Sequence, residues 1–237
     1  MAKFLLVSGA FQGGWVWRDV ASRLASKGHE AHTPTLTGCG YLCNGFREGQ
    51  GLQTYIDDLL NYLEFEDLED VVLGAHSYSG MIVAAAAVAM QARDRIRKLV
   101  FMDAVIPEAG RSFADMAGEG FQQLLAKQAA DGWKVNPWPL PMFGVSGERT
   151  EWFGARVRPF PLAAFTDPFP VEFEPKALAA EFIRCAKTQN PLIQQMGRKA
   201  EEFDWRVSTL DSNHSPMTTH PAQLADLLHT AGGGEGA

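Results

Sequence analysis

The chain alternates short apolar runs with stretches whose apolar residues recur at helical spacing, and that alternation predicts its fold class. Lys3 to Val7 reads as a buried strand, and Trp17 to Lys27 as an amphipathic helix with Val20, Leu24 and Ala25 on one face, ending before Gly28. His29 to Pro34 returns as a second strand. Thr35 to Gly51 carries Gly38, Gly40, Gly45, Gly49 and Gly51 and reads as a loop long enough to have a task of its own. Leu52 to Phe65 is helical, with Leu59, Leu60, Tyr62 and Leu63 inward and Asp57, Asp58 and Glu64 outward. Asp70 to Gly74 is a third strand and Ile96 to Met102 a fourth. Between them, Gly80 to Ala92 is an alanine- and valine-rich helix of the kind buried against a sheet. Strand and helix in strict alternation imply an α/β fold, a parallel sheet with right-handed crossovers and ligand chemistry at the carboxyl ends of its strands. Ser77 and Asp103 both fall at such ends.

The alternation fails from Pro107 to about Pro175, where Pro, Phe, Trp and Met accumulate, among them Trp133, Trp138, Phe143, Trp152, Phe153, Phe160 and Phe165. This composition fits a lid that buries the apolar body of a substrate, and equally a second small core sealed against the main domain. Phe11, Trp133, Trp138, Phe143 and Trp152 are the candidate substrate contacts. The pattern resumes with a strand at Glu181 to Cys185, a helix at Pro191 to Glu201, a strand at Trp205 to Leu210 and a helix at Pro221 to His229. The chain therefore divides into a core of residues 1–106 and 176–231, an inserted lid of residues 107–175, and a flexible glycine-rich tail of residues 232–237. It contains no internal repeat.

Composition narrows the function classes. A length of 237 residues, 46% hydrophobic and 21% charged, suits one large globular domain. The net charge of -7 comes without a long charged block, which argues against nucleic acid as a partner, because phosphate binding needs clustered Lys and Arg. No stretch approaches the roughly 18 apolar residues that would span a bilayer. The most apolar helix, Met81 to Met90, runs into Gln91, Arg93 and Asp94. The opening MAKFLLVSGAF is too short and wrongly flanked for a signal peptide. Three cysteines cannot form a disulfide framework, and Cys39 and Cys43 lack a second cysteine or histidine pair nearby, so both are expected to be free loop thiols rather than metal ligands. The expectation is a cytoplasmic protein, monomer or homodimer, acting on a small molecule without cofactor or metal, and without a nucleic-acid or membrane partner.

The candidate chemistry centres on Val71 to Val83, VVLGAHSYSGMIV. An apolar strand reaches a cluster of small residues and a helix starts directly after it, with Ser77 at the apex. This is the arrangement of a nucleophile elbow, usually written Gly-x-Ser-x-Gly, in which the turn strains the serine backbone and admits only small residues two positions away. Ala75 and Ser79 hold those places, with Gly74 and Gly80 just outside. A serine hydroxyl needs a base to take its proton. Of six histidines, His29 and His32 lie near an early strand, His220 and His229 at the ends of the last helix, and His76 under the elbow. His214, in the loop SNHSPM after the last strand, is free to turn toward Ser77.

With these residues assembled, the chain resembles the α/β-hydrolase superfamily, and within it the branch of plant methyl esterases, hydroxynitrile lyases and small bacterial esterases. VSGAFQGGWVW is similar to the family's His-Gly-Ala-x-x-Gly-x-Trp opening, GAHSYSG to its Gly-His-Ser-x-Gly-Gly elbow, and NHSPMTTHP to its Asp/Gly-His-x-x-Met…Pro close. The resemblance implies Ser77 as nucleophile, His214 as base, and the N–H groups of Ala10 and Tyr78 as the oxyanion hole. It also implies hydrolysis of small esters, methyl esters and methyl carbamates of aromatic compounds included, carbendazim-type carbamates among them.

Two positions depart from the family. Ser8 replaces the histidine of the opening, while Gly9 and Ala10 are kept. More seriously, the acid of the bacterial relatives belongs in the segment FIRCAKT, where its position falls on Thr188, and neither Gln189 nor Asn190 supplies a carboxylate. Some α/β-hydrolases take their acid from the strand after the elbow's helix. Asp103 stands there, either as the acid or as a cap of its loop. Asp211 is close to His214 in sequence, too close to reach around to the far ring nitrogen. Two other readings stand beside the esterase. A cyanohydrin-splitting lyase of this branch would carry a lysine where Ser215 follows the histidine, and a weak or ligand-binding hydrolase would explain Thr188.

Overall fold

The computed structural model describes residues 1–90 and 95–234. Its core follows the alternation of the sequence: β1 (Lys3–Val7), α1 (Arg18–Ser26), β2 (Glu30–His32), α2 (Leu52–Phe65), β3 (Val71–His76), α3 (Gly80–Met90) and β4 (Ile96–Met102). The insertion carries α4 (Phe113–Ala117), α5 (Glu119–Gln128), β5 (Ala129–Ala130), β6 (Lys134–Val135), α6 (Arg149–Gly154), β7 (Phe160–Pro161) and α7 (Leu162–Thr166). The core then closes with β8 (Ala180–Cys185), α8 (Pro191–Glu202), β9 (Arg206–Leu210), α9 (Pro216–Thr219) and α10 (Pro221–Ala231). Short 3₁₀ turns lie at Gly14–Trp17, just before α1, and at Gly40–Gly45, within the segment that reads as a loop. Gln91 and Ala92, the last two residues of the predicted third helix, lie outside the described residues.

The main sheet has six strands in the order β2-β1-β3-β4-β8-β9, and every neighbouring pair is parallel. All six residues of β3 are buried, as a central strand covered on both faces must be, and this explains a run without polar alternation. Helix α3 is apolar on every side because it too is enclosed, while α1 packs on α10 and α2 on α3.

Register decides where the chemistry can gather. His76 pairs with Met102, Met102 with Ile183, and Cys185 with Leu210, so β3, β4, β8 and β9 end at one edge. The residues that follow these ends, Ser77, Asp103, Thr188 and His214, are thereby brought to one side of the sheet.

The insertion forms short helices and a small antiparallel sheet, β5-β6-β7, over that edge. It is sealed to the core by rings: Phe11 contacts Trp138, Phe143, Phe160 and Phe165, and Tyr78 contacts Phe160 and Phe165. Of the tail that begins at residue 232, Glu235, Gly236 and Ala237 lie outside the described residues. Gly234 N–H donates to the His229 carbonyl at 2.9 Å. No described helix is long and apolar enough to cross a membrane. Cys39, Cys43 and Cys185 are free, and among the described residues no group of three or more His, Cys, Asp or Glu could hold a metal ion.

Candidate active site

The turn after β3 holds Ser77 at φ +56°, in the left-handed region that a side chain adopts only under constraint. The constraint is visible on every side. A Cβ on Gly9 would lie 3.1 Å from that of Ser77, and one on Gly80 would lie 1.8 Å from the Val105 carbonyl oxygen, so only glycine lets the opening loop and the elbow helix approach this closely. Ser79 stands where the family's elbow has glycine and adds a polar tie. Its Oγ accepts from His76 N–H at 2.8 Å and lies 2.9 Å from the carbonyl oxygens of both Val7 and His76. The elbow is thus fastened to the end of β1, where the Ser8–Ala10 loop begins. Ser8 itself is buried.

His214 reaches Ser77 from the loop after β9. Its Nε2 lies 2.9 Å from Ser77 Oγ and its Nδ1 lies 2.8 Å from Asp103 Oδ2. A carboxylate only accepts, so Nδ1 carries the proton and donates to Asp103, which leaves Nε2 as acceptor for the Ser77 hydroxyl. The three side chains form one connected relay.

Asp103 follows β4 at φ +48° and is 1% exposed. A carboxylate this deep needs donors, and it has three. Oδ1 accepts from Cys185 N–H at 3.0 Å, and Oδ2 accepts from His214 and from the Thr188 hydroxyl. Thr188, where the resemblance places an acid, therefore bonds to the Asp103 carboxylate. Burial, reinforced by the nearby Asp103 charge, pushes the Cys185 thiol well above its usual range. Asp211 is exposed and pairs with Lys187 at 2.9 Å.

His76 lies beneath the relay and is fully buried. Its Nε2–H donates to the His214 carbonyl at 2.7 Å, while Nδ1 has no partner among the described residues. Burial, together with the neighbouring His214 ring, lowers its pKa to about 3, so it serves as a neutral donor that fixes the His214 backbone.

A cavity of about 470 Å³ opens above Ser77. Ala10, Phe11, Tyr78, Trp138, Phe143 and Phe165 supply its apolar wall, and Lys187, Gln189, Asn190 and Asn213 its polar side. Trp133 and Trp152, expected as substrate contacts, do not line it. Trp133 sits in the turn of the β5–β6 hairpin against Phe46, and its carbonyl accepts from Leu162 N–H at 2.8 Å. Trp152 is held against Trp15 and under the guanidinium of Arg156. Phe153 and Phe160 are core residues, each at most 1% exposed.

The sequence carries the corresponding family signature from end to end: the model of the alpha/beta hydrolase family matches residues 4–227. The chain belongs to the alpha/beta hydrolase family. Among its relatives in this family is a carbendazim hydrolyzing esterase of Nocardioides sp. (strain SG-4G), 31% identical over 244 residues that cover 98% of this chain and all of that one. An alpha-hydroxynitrile lyase of Arabidopsis thaliana is 29% identical over 106 residues, 44% of this chain and 40% of the lyase. An extracellular alpha/beta-hydrolase from a Paenibacillus species superposes with a TM-score of 0.84 at 21% identity, covering 98% of this chain and 99% of that one. This α/β hydrolase therefore has the fold that its strand and helix pattern predicts.

Spacing alone leaves part of the site unread. Thr188 shows in the sequence as a missing carboxylate, and its bond to Asp103 spans 85 residues. The role of Ser79 as a tether has no signal beyond its small size. Gln12, in the wall of the cavity, has none at all.

Proposed function

We propose that this α/β hydrolase is a serine esterase that cleaves a small ester or carbamate with an aromatic or otherwise apolar body, by way of an acyl-enzyme. The observation that carries this reading is the unbroken relay from Ser77 Oγ through His214 to Asp103 at the mouth of an aromatic cavity. Ser77 Oγ attacks the carbonyl carbon while His214 Nε2 takes its proton, and the Nδ1–H bond to Asp103 holds the ring in the required tautomer and offsets the charge it gains. The N–H groups of Ala10 and Tyr78 receive the developing oxyanion. Collapse expels the alcohol, which leaves with the proton of His214. Water then enters by the same base and releases the acid and Ser77.

The choice of esterase over lyase rests on Ser215. It is fully buried, and its hydroxyl donates to the Phe143 carbonyl at 2.6 Å, so it presents no cation beside His214. The test is a screen of p-nitrophenyl esters, aryl methyl esters and aryl methyl carbamates, with mandelonitrile alongside. Release of alcohol and acid from members of the ester or carbamate sets is the expected result. Cyanide release from mandelonitrile without any ester cleavage would overturn the proposal.

A further inference from the structure

Asn213, His214 and Ser215 are each held by a separate contact, and the insertion supplies two of these contacts. The core ties down the His214 carbonyl through His76. The insertion acts through a 3₁₀ turn at Leu140–Phe143, which ends on Gly144 at φ +68°. Gly144 N–H donates to the Pro141 carbonyl at 3.0 Å and so closes the turn. A Cβ on Gly144 would lie 2.6 Å from Asn213 Cβ and 2.8 Å from His214 N, so the turn is pressed directly on the His214 loop and leaves room for no side chain there. On the other side of His214, the fully buried Ser215 donates its hydroxyl to the Phe143 carbonyl at 2.6 Å. Phe143 is itself buried, lines the cavity and packs its ring on Phe11 and Phe153. Removing the Ser215 hydroxyl would strand the carbonyl and free the turn to shift.

We propose that Gly144 and Ser215 are positioning residues for the reaction: through them the insertion clamps the loop of the catalytic base and sets the reach of His214 Nε2. This rests on the esterase reading above. Acyl transfer asks two things of Nε2, to take the proton of Ser77 and to return it to the departing alcohol. The first is guided by the bond already made to Ser77 Oγ at 2.9 Å. The second has no partner until substrate is bound, so it depends on where the loop holds the ring. A misplacement of about 1 Å can cost on the order of 10² in rate. A loosened clamp therefore falls hardest on leaving groups that cannot depart without a proton.

The experiment measures kcat/KM for p-nitrophenyl phenylacetate and methyl phenylacetate in the wild type, Ser215→Ala, Gly144→Ala and Gly147→Ala. Phenyl phenylacetate replaces the methyl ester if the wild type does not turn that ester over. These esters form the same acyl-enzyme and differ only in the alcohol: p-nitrophenolate leaves without a proton, and methanol does not. The ratio of the p-nitrophenyl to the methyl constant is expected to rise about fivefold or more in Ser215→Ala and in Gly144→Ala. It should stay within about twofold of the wild type in Gly147→Ala, where φ is +70° as well but an added Cβ meets nothing within 4 Å. A smaller folded fraction lowers both constants alike, so the ratio separates positioning from destabilisation. If Gly144→Ala does not fold, Ser215→Ala decides. A ratio within about twofold of the wild type in folded Ser215→Ala would overturn the clamp and leave the esterase standing. A wild type inert toward all three esters and toward aryl methyl carbamates would instead remove the esterase reading, and this one with it.

Discussion

Replacing Asp103 by asparagine tests whether this residue is the acid of the relay, and the geometry dictates what the substitution does. Three donors converge on the carboxylate: Cys185 N–H on Oδ1, and His214 Nδ1–H with the Thr188 hydroxyl on Oδ2. An asparagine retains one acceptor, so its NH₂ must face one of these sides. The backbone N–H of Cys185 cannot turn away, whereas the Thr188 hydroxyl can rotate and the His214 ring can change tautomer. The NH₂ therefore goes to the His214 side, and Nδ1 becomes the acceptor. The proton moves to Nε2, the atom that must take the proton of Ser77. In serine proteases the same wrong tautomer costs about 10⁴ in turnover. The expected loss in Asp103→Asn is at least about a hundredfold in kcat, or roughly 3 kcal/mol of barrier. The assay is steady-state turnover of an aryl ester, with circular dichroism and a thermal melt to establish that the near-isosteric variant is folded. A folded Asp103→Asn enzyme with activity near wild type would refute the assignment.

Further outcomes follow from neighbouring contacts. Thr188→Val removes one of the donors to Asp103 and should lower kcat by about threefold to tenfold with KM little changed, while Thr188→Ser restores it; an unchanged kcat in the valine variant would make the hydroxyl incidental. Trp138 lines the cavity and Trp133 does not, so Trp138→Ala should raise KM for aryl substrates severalfold and Trp133→Ala should leave it within about twofold. His76 has a folded pKa of about 3 against 6.5 for an ordinary histidine, so the unfolded chain binds the proton more readily. Its contribution to stability is therefore intact above about pH 6.5 and is lost as pH falls toward 3, by up to about 1.4 kcal/mol per unit. Denaturant titrations across that window should show a smaller pH slope in His76→Gln than in the wild type, and equal slopes would contradict this origin.

The core was legible because each of its elements buries a regular face. Val71–Ala75 and Gly80–Met90 are apolar throughout, as a strand inside a parallel sheet and a helix buried against it must be. The elbow was legible for a related reason, since the strained turn at Ser77 excludes large neighbours and leaves small residues as its trace. The insertion was not readable at the same level. Its aromatic residues are divided between a second core and the cavity, and the direction of a ring such as Trp152 depends on Trp15 and Arg156, which only the folded chain brings near. Thr188 marks the same limit: its type announced an absent acid, but the partner of its hydroxyl is fixed by the pairing of β4 with β8.

The central claim is that Ser77 is the nucleophile of acyl transfer, and intact-protein mass spectrometry after treatment with a fluorophosphonate tests it most directly. One phosphonyl group per chain, mapped to Ser77 and absent from Ser77→Ala, is the expected result. An unlabelled wild type, or a Ser77→Ala variant labelled to the same extent, would contradict it.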